Sequence, residues 1–467
     1  AISEKESVTS LYQKKLISNG VLAKSESEKW QADYKKKLET AFTKAKNKLV
    51  TEPDWFEGRW KKYAKGDRAY TSEISDKELQ SVGMELLTNY PEDFNIHKRL
   101  PKIFAPKKKA IEEGKGIDWA LAESLAFATL LSKKHPVRLS GQDSGRGTFS
   151  QRHSVFVDQK TEEKFIPLNH LKNAKSKFEV IDSPLSEASV LGFEYGYTTV
   201  DPEALVMWEA QFGDFSNGAQ VIIDQFISSG ESKWYRLSGL VMLLPHGYEG
   251  MGPEHSSARP ERYLQLCAEN NMRVANCTTP ANYFHILCRQ VFAAQRKPLI
   301  VFTPKSLLRH KMAVSSIDDM KKGTTFQPVI EETDTTLRPA KIKRVVLCSG
   351  KIFYDLLQYR QQENIKDVAI VRIEELYPFP EKELKKALKA YEKSQVFWCQ
   401  EEPQNMGAWH FVDRRIESVL TDLKFKHNRP QYIGRPEAAS PATGFSKVHV
   451  VEQQEIVKKA LMLKKGK

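Results

Sequence analysis

The chain has 467 residues, room for roughly two to four domains of ordinary size. Apolar residues make up 40%, and no apolar run approaches the ~20 residues of a membrane-spanning helix, so no membrane insertion is expected. The 72 Lys and Arg against 59 Asp and Glu give a net charge of +13. Runs such as Lys35-Lys36-Lys37 and Lys107-Lys108-Lys109 alternate with acids and accompany no RRM, zinc-finger or helix-turn-helix pattern. The charge therefore reads as a solvated lysine-rich surface, and no nucleic-acid partner is expected.

The chain opens Ala1-Ile2-Ser3-Glu4, without a methionine, a basic stretch or the apolar stretch of a secretory signal. A processed product or a piece of a longer chain is expected. Residues 1–112 read as a polar helical arm. Its 26–48 stretch is rich in Lys, Glu and Ala with spaced apolar positions, and the cluster Trp55-Phe56-Glu57-Gly58-Arg59-Trp60 follows. The arm is expected to pack on a partner surface.

From about residue 113 the pattern changes to short apolar strands, at 136–140, 178–181, 204–208, 239–244, 272–275 and 298–302. Helical segments at 187–197, 217–227, 259–269 and 281–294 lie between several of them. Such alternation predicts an α/β domain over 113–320 with a doubly wound, parallel sheet. Residues 312–341 read as a polar linker. A second, smaller doubly wound α/β domain, 340–467, then restarts the pattern. It has strands at 344–348, 368–373 and 395–399, helices at 351–361 and 381–393, and a closing helix near 453–463. The five cysteines, Cys267, Cys277, Cys288, Cys348 and Cys399, are odd in number and form no CxxC pair, which predicts reduced thiols without a disulfide framework or zinc site.

Ligands of open α/β sheets collect at the carboxyl ends of the strands, and the unusual residues of this chain fall there. Gln142-Asp143-Ser144-Gly145-Arg146-Gly147-Thr148-Phe149 follows the first strand; it is neither a P-loop nor GxGxxG, and reads equally as an anion cradle or a glycine-rich turn. After the second strand, Ser183 or Ser186 is expected to cap a helix with Pro184 near its first turn. Glu187 then either complements the helix dipole or aims a carboxylate into the crevice. Trp208-Glu209-Ala210-Gln211-Phe212-Gly213-Asp214-Phe215 offers two aromatics, either as a flat platform for a heteroaromatic ring or as ordinary core. The loop 245–259 is the densest stretch in reactive residue types, and His246 and His255 on it are assigned to proton transfer or oxyanion binding.

These segments, together with Pro304-Lys305-Ser306-Leu307-Leu308-Arg309-His310, Arg372-Ile373-Glu374-Glu375-Leu376-Tyr377-Pro378-Phe379-Pro380 and Trp398-Cys399-Gln400-Glu401-Glu402-Pro403, resemble the 2-oxoglutarate dehydrogenase E1 family over residues 110–467. The resemblance implies a transketolase-like fold, a homodimer and a thiamin diphosphate-dependent decarboxylation of 2-oxoglutarate, with transfer of the succinyl group to the lipoyl arm of an E2 dihydrolipoyl succinyltransferase. It implies that Glu187 hydrogen-bonds the pyrimidine ring nitrogen and favours the imino tautomer. Phe212 and Phe215 then pack on that ring, Gln142 and Glu209 face the cofactor with Arg146 in support, and His255, with His246, lies near the reacting carbon. Glu194 is left as a structural residue. Lys351 and Arg372 are offered as an effector or anion pocket.

The family's Mg²⁺-binding Gly-Asp-Gly motif is missing; Lys65-Gly66-Asp67-Arg68 lacks the second glycine. The expectation is therefore a C-terminal half, acting as a dimer or with an N-terminal half that supplies the Mg²⁺ ligands. The compartment is the cytoplasm in a bacterium or the matrix in a mitochondrion. An E1 acting on 2-oxoadipate and a non-catalytic docking module are the alternatives.

Overall fold

The computed structural model describes residues 4–46, 58–63 and 69–462. Trp55 and Phe56 of the aromatic cluster, and Lys65, Gly66, Asp67 and Arg68, lie outside them. The chain divides into two compact units, Ala1–Asp54 and Trp55–Lys467. The first holds the helices Val8–Ser18 and Lys24–Lys46. Ser7 opens the former by accepting the Ser10 N–H at 3.1 Å. Gln31 Nε2 donates to Gln13 Oε1 at 3.0 Å between the two helices.

The second unit is built on a seven-stranded sheet in the order Glu375–Tyr377, Arg273–Ala275, Leu299–Thr303, Val241–Pro245, Leu205–Glu209, Val137–Gly141, Phe178–Asp182. All neighbours run parallel except the first pair. Six of these strands begin and end within two residues of the expected positions. Runs such as Val241–Pro245 are buried throughout, which is why they read as short apolar blocks and not as alternating strands.

The helix Trp119–Ser132 has no counterpart in the sequence reading. It is buried on nearly every side, so no polar stripe marks its period. Asp118 caps it, accepting the Leu121 N–H at 2.7 Å. With the helix Pro280–Phe292 it covers one face of the sheet, and Trp119 stacks on Tyr283 at 4.7 Å. The helix Glu187–Val200 and residues 213–227 cover the other face through Val190, Leu191 and Ile223, packed with Val206 and Met242.

A second sheet orders Val329–Ile330, Val368–Ile373, Arg344–Cys348, Gln395–Pro403 and Gln431–Arg435, parallel apart from Val329–Ile330. The two sheets share one core, which runs from Met242 and Ile300 through Val345, Leu347 and Val371 to Trp398. They are also stitched together. The strand Glu375–Tyr377 leaves the second layer and pairs with Arg273–Ala275 at the edge of the first, where Arg289 holds Glu375 at 2.5 Å.

Two expectations about organisation change. The 312–341 segment is packed instead of linking freely: Ser315–Ser316 pairs with Lys115–Ile117, and Met320 and Phe326 join the core. Its buried residues are spaced without a period among polar ones, which hides them from pattern reading. The 1–112 arm is divided. Leu79, Val82, Ala110 and Ile111, from the helices Asp76–Thr88 and Leu100–Glu113, belong to the core of the second unit. Trp60 donates to the Thr199 carbonyl at 2.7 Å.

At the centre of the seven-stranded sheet Arg152 is buried between two carboxylates. Its guanidinium donates to Glu123 Oε1 at 2.6 Å and to Glu209 Oε1 and Oε2 at 2.6 and 2.8 Å, and to the Ser144 carbonyl at 2.9 Å. Tyr283 donates to Glu123 at 2.7 Å. Arg152→Met leaves two buried carboxylates without a counter-charge and is expected to destabilise the second unit by about 3–5 kcal/mol. Urea unfolding of the variant checks this, and adding Glu123→Gln with Glu209→Gln should reduce the loss.

Candidate active-site crevice

The loops after the strands Val137–Gly141, Phe178–Asp182, Leu205–Glu209 and Val241–Pro245 meet at one end of the sheet. Gly145 N–H donates to Asp182 Oδ1 at 2.8 Å, and Gln211 Nε2 to Asp143 Oδ2 at 2.7 Å. Close backbone approach sets the shape here. A Cβ on Gly213 would stand 2.3 Å from Ala258 Cβ and 2.7 Å from the Pro245 carbonyl.

Glu187 is the first residue of its helix. Ser186 takes the N-cap position, but its hydroxyl bonds Ser189 Oγ at 3.0 Å and caps no N–H; Pro184 precedes the helix. The first-turn N–H groups thus face the crevice without a side-chain cap, and a carboxylate there is favoured. Glu187 is half-buried, and Gln142, itself exposed, reaches its Oε1 only at 3.4 Å. Gly218 keeps the approach open, since a Cβ there would lie 3.4 Å from Glu187 Oε2.

Facing this loop is a cluster of rings. Phe212 and Phe215 lie 5.8 Å apart at 76°, so they form a corner instead of the flat platform anticipated. His255 sits edge-on in that corner, 4.5 Å from Phe212 and 5.7 Å from Phe215, and Phe149 closes on Phe212 at 5.6 Å. Two contacts pin the His255 loop. Arg259, in the left-handed region at φ 56°, donates to the buried Asp214 at 2.9 Å, and Lys305 Nζ donates to the His255 carbonyl at 2.6 Å. Lys305 was given no role by the sequence. Burial pushes its pKa down, against Glu249 and Glu401, which raise it.

His246 is buried and braces the loop. The Ala258 N–H donates to Nδ1 at 3.0 Å, so Nε2 carries the proton and donates to Glu402 Oε1 at 2.8 Å. Burial raises the Glu402 pKa, but the His246 hydrogen bond, with a backbone hydrogen bond and the Arg435 charge, outweighs it and holds the carboxyl below its usual range. Glu402 comes from the end of the strand Gln395–Pro403 in the second sheet, 156 residues away, and only the fold brings it here.

Three expected site residues are occupied elsewhere. Both Glu209 oxygens are taken by Arg152, so this carboxylate does not face a cofactor. Lys351 is buried against Glu401 at 2.7 Å and Asp355 at 3.0 Å, which neutralise it and raise its pKa despite burial. Arg372 is buried over the Phe353 ring and donates to Thr278 Oγ1 at 2.9 Å, beside Glu374. Lys351, paired with two carboxylates, is not left for an anion pocket. Arg146 lies 3.3 Å from Asp143, and Glu194, buried, takes Arg138 at 2.8 Å in a structural pair. Among the described residues no group of three or more His, Cys, Asp or Glu could hold a metal ion, and no helix is long and apolar enough to cross a membrane.

A parallel sheet whose strand-end loops gather a helix-start carboxylate, a ring corner and a braced histidine defines a transketolase-type pyrimidine-binding architecture. Residues 115–311 match the family model described as the pyrimidine binding domain of transketolase, and residues 314–461 that of the 2-oxoglutarate dehydrogenase C-terminal domain. The chain carries a transketolase-type pyrimidine-binding domain followed by a 2-oxoglutarate dehydrogenase C-terminal domain. It is 49% identical, over 99% of its length, to proteins named 2-oxoglutarate dehydrogenase E1 component from Brucella ovis, Brucella melitensis and Brucella anthropi, and covers 47% of each. The chain thus spans about half the length of the curated relatives it matches.

Two outcomes follow from this geometry. Gly213→Ala is expected to destabilise the unit by about 1–3 kcal/mol, read as a lower urea midpoint, because neither Ala258 nor the Pro245 carbonyl is a flexible side-chain end. The depressed Glu402 pKa contributes stability above the ordinary glutamate value of about 4.3, and this is lost as pH falls from there through the folded value. The stability advantage of the native chain over Glu402→Gln, measured by denaturant titration, should therefore be full at neutral pH and shrink on acidification.

Proposed function

We propose that this chain provides the pyrimidine-binding and C-terminal parts of a 2-oxoglutarate dehydrogenase E1. In this reading it acts with thiamin diphosphate and Mg²⁺ on 2-oxoglutarate and passes the succinyl group to the lipoyl group of an E2 dihydrolipoyl succinyltransferase. The observation that carries the reading is Glu187: a half-buried carboxylate in a helix's first turn, with one long contact to Gln142 and the glycine Gly218 beside it. That donor set fits a heteroaromatic ring that offers a nitrogen to a carboxyl group. When bound, thiamin diphosphate supplies the nucleophilic carbon and electron sink that a 2-oxo acid needs to lose CO₂.

The chain's own residues do the rest. Glu187 holds a proton between its carboxylate and the pyrimidine nitrogen, with Gln142 steadying Oε1. Phe212 and Phe215 form apolar walls that keep water from the ring. His255, held in their corner, exchanges a proton with the reacting substrate, while His246 acts as a brace through Glu402. The reading puts the Mg²⁺ ligands outside this chain. It also calls for assembly with a second copy or an N-terminal half, because Leu185, Phe193 and Val221 are exposed on the segments around Glu187. The compartment is the cytoplasm in a bacterial source and the mitochondrial matrix in a eukaryotic one.

The test is CO₂ release from 2-oxoglutarate by an E1 polypeptide carrying these 467 residues, supplied with Mg²⁺, thiamin diphosphate and ferricyanide as the two-electron acceptor in place of the lipoyl group. Glu187→Gln should lower kcat by about 10²–10⁴-fold with the unfolding midpoint little changed. Absence of turnover in the unaltered polypeptide, a preference for 2-oxoadipate, or full activity in Glu187→Gln overturns the reading.

A further inference from the structure

The strands Val241–Pro245 and Leu299–Thr303 are parallel neighbours, with Pro245 opposite Thr303. The loops that leave them therefore start side by side. One is the segment 246–259, which carries His255; the other begins Pro304-Lys305-Ser306 and enters the turn Ser306–Arg309. The first loop closes on itself, because the Gly247 N–H donates to the Ser256 carbonyl at 2.9 Å. The His246 N–H ties its start to the Thr303 carbonyl at 2.8 Å. Within this closed loop two side chains cross to and from its neighbour. Glu249 reaches over to accept the Ser306 N–H at 2.9 Å, and Lys305 reaches back to donate to the His255 carbonyl at 2.6 Å. Gly247 lies against both arms: a Cβ there would stand 3.4 Å from Glu249 Oε1 and 3.7 Å from Lys305 Cε.

The two arms differ in what they cost. Ser306 opens a turn whose own N-cap residue supplies no side-chain acceptor, so Glu249 satisfies a donor that the turn leaves unpaired. Lys305 is the expensive arm. It is 5% exposed, yet among the described residues no carboxylate lies within ion-pair distance of it, and a main-chain carbonyl is its hydrogen-bond partner. Glu249 and Glu401 act on its charge from farther off. Burying an ammonium with so little in return is unfavourable, and an apolar side chain of the same length would fill the space at lower cost. His255 is where that cost is returned. Among the described residues neither of its ring nitrogens makes a hydrogen bond, whereas both nitrogens of His246 are engaged. The His255 imidazole meets the rings of Phe212 and Phe215, contacts far less directional than hydrogen bonds. Its place therefore comes from the main chain that carries it. Gly250 and Gly252 precede it, and glycines restrain a backbone least.

We propose that Lys305 is a positioning residue for His255: its ammonium, hooked on the His255 carbonyl and crossed by the Glu249 arm, fixes where the imidazole meets the substrate. This rests on the role given to His255 above and adds the residue that sets its place. Lys305 acts through the main chain and leaves both imidazole nitrogens free for proton exchange. A misplacement of about 1 Å in a reacting group lowers a rate by as much as about 10²-fold. Loss of the hook therefore slows turnover and leaves substrate binding nearly as it was.

The test is a double-mutant cycle on kcat for CO₂ release, with the E1 polypeptide and the assay described above. Lys305→Met keeps the length of the side chain and removes the donor. It should lower kcat about 10–10²-fold and change the KM for 2-oxoglutarate by less than about threefold. Lys305→Arg, which keeps a donor, should recover part of the loss. In a His255→Ala background Lys305→Met should cost less than about twofold more, because the group it places is gone. A lysine that only supports the fold would cost the same in both backgrounds. Unchanged kcat in Lys305→Met, a rise in KM alone, or equal losses with and without His255 overturns the positioning role. If Lys305→Met does not fold, Glu249→Ala, which opens the other arm, enters the same cycle, and equal losses there overturn it likewise. No turnover in the unaltered polypeptide, or full kcat in His255→Ala, overturns the role of His255 itself and that of Lys305 with it.

Discussion

Arg152 is the hinge on which the sequence becomes a site. Its guanidinium lies between Glu123, on the buried Trp119–Ser132 helix, and Glu209, at the end of a central strand, and also takes the Ser144 carbonyl. One cation therefore ties together a helix, a strand end and the glycine-rich segment that follows another strand. A buried pair of carboxylates is tolerable only while the arginine is present, so the three elements have a single low-energy arrangement. Phe149, five residues beyond Ser144 on the same segment, then meets Phe212 in the ring corner.

A second constraint comes from the other sheet. Glu402 reaches across to His246, and Glu374 accepts from Thr278 N–H at 2.7 Å and from Asn282 at 3.0 Å. Burial raises the Glu374 pKa, with Arg372 and these hydrogen bonds acting against it. The shared core and the migrating strand Glu375–Tyr377 give the same result by packing. The loop that carries His255 is thus supported from beneath by residues of a layer that contributes nothing to the ring corner itself. The C-terminal layer serves the crevice as a scaffold.

Where the chain is legible as sequence, the cause is local. The central strands read correctly because burial on both faces leaves short apolar runs between polar turns, and the helix at Glu187 because a carboxylate follows a serine-proline turn. The helix Trp119–Ser132 did not read, since burial on all sides removes the polar stripe that pattern analysis needs. The 312–341 segment did not read because its anchors Met320 and Phe326 have no period. Among the site residues, Gln142 lies beside Glu187, and Phe212, Phe215 and His255 form one ring cluster. Glu209 and Lys351 were chosen for their place near strand ends, and Arg152 and Glu401, distant in sequence, meet their charges.

By itself the sequence determined the two α/β layers, the positions of their parallel strands and the loops in which reactive residues gather, because apolar runs and turn residues are properties of neighbouring positions. Which charges remain free, and which are neutralised, was decided only by the tertiary structure. A carboxylate near a strand end looks the same in sequence whether it meets Arg152 or open crevice, and a lysine looks the same whether it meets a carboxylate, as Lys351 meets Glu401, or solvent. Burial and pairing depend on residues tens to hundreds of positions apart, and Coulomb energies in a low-dielectric interior depend steeply on the distances that only folding sets.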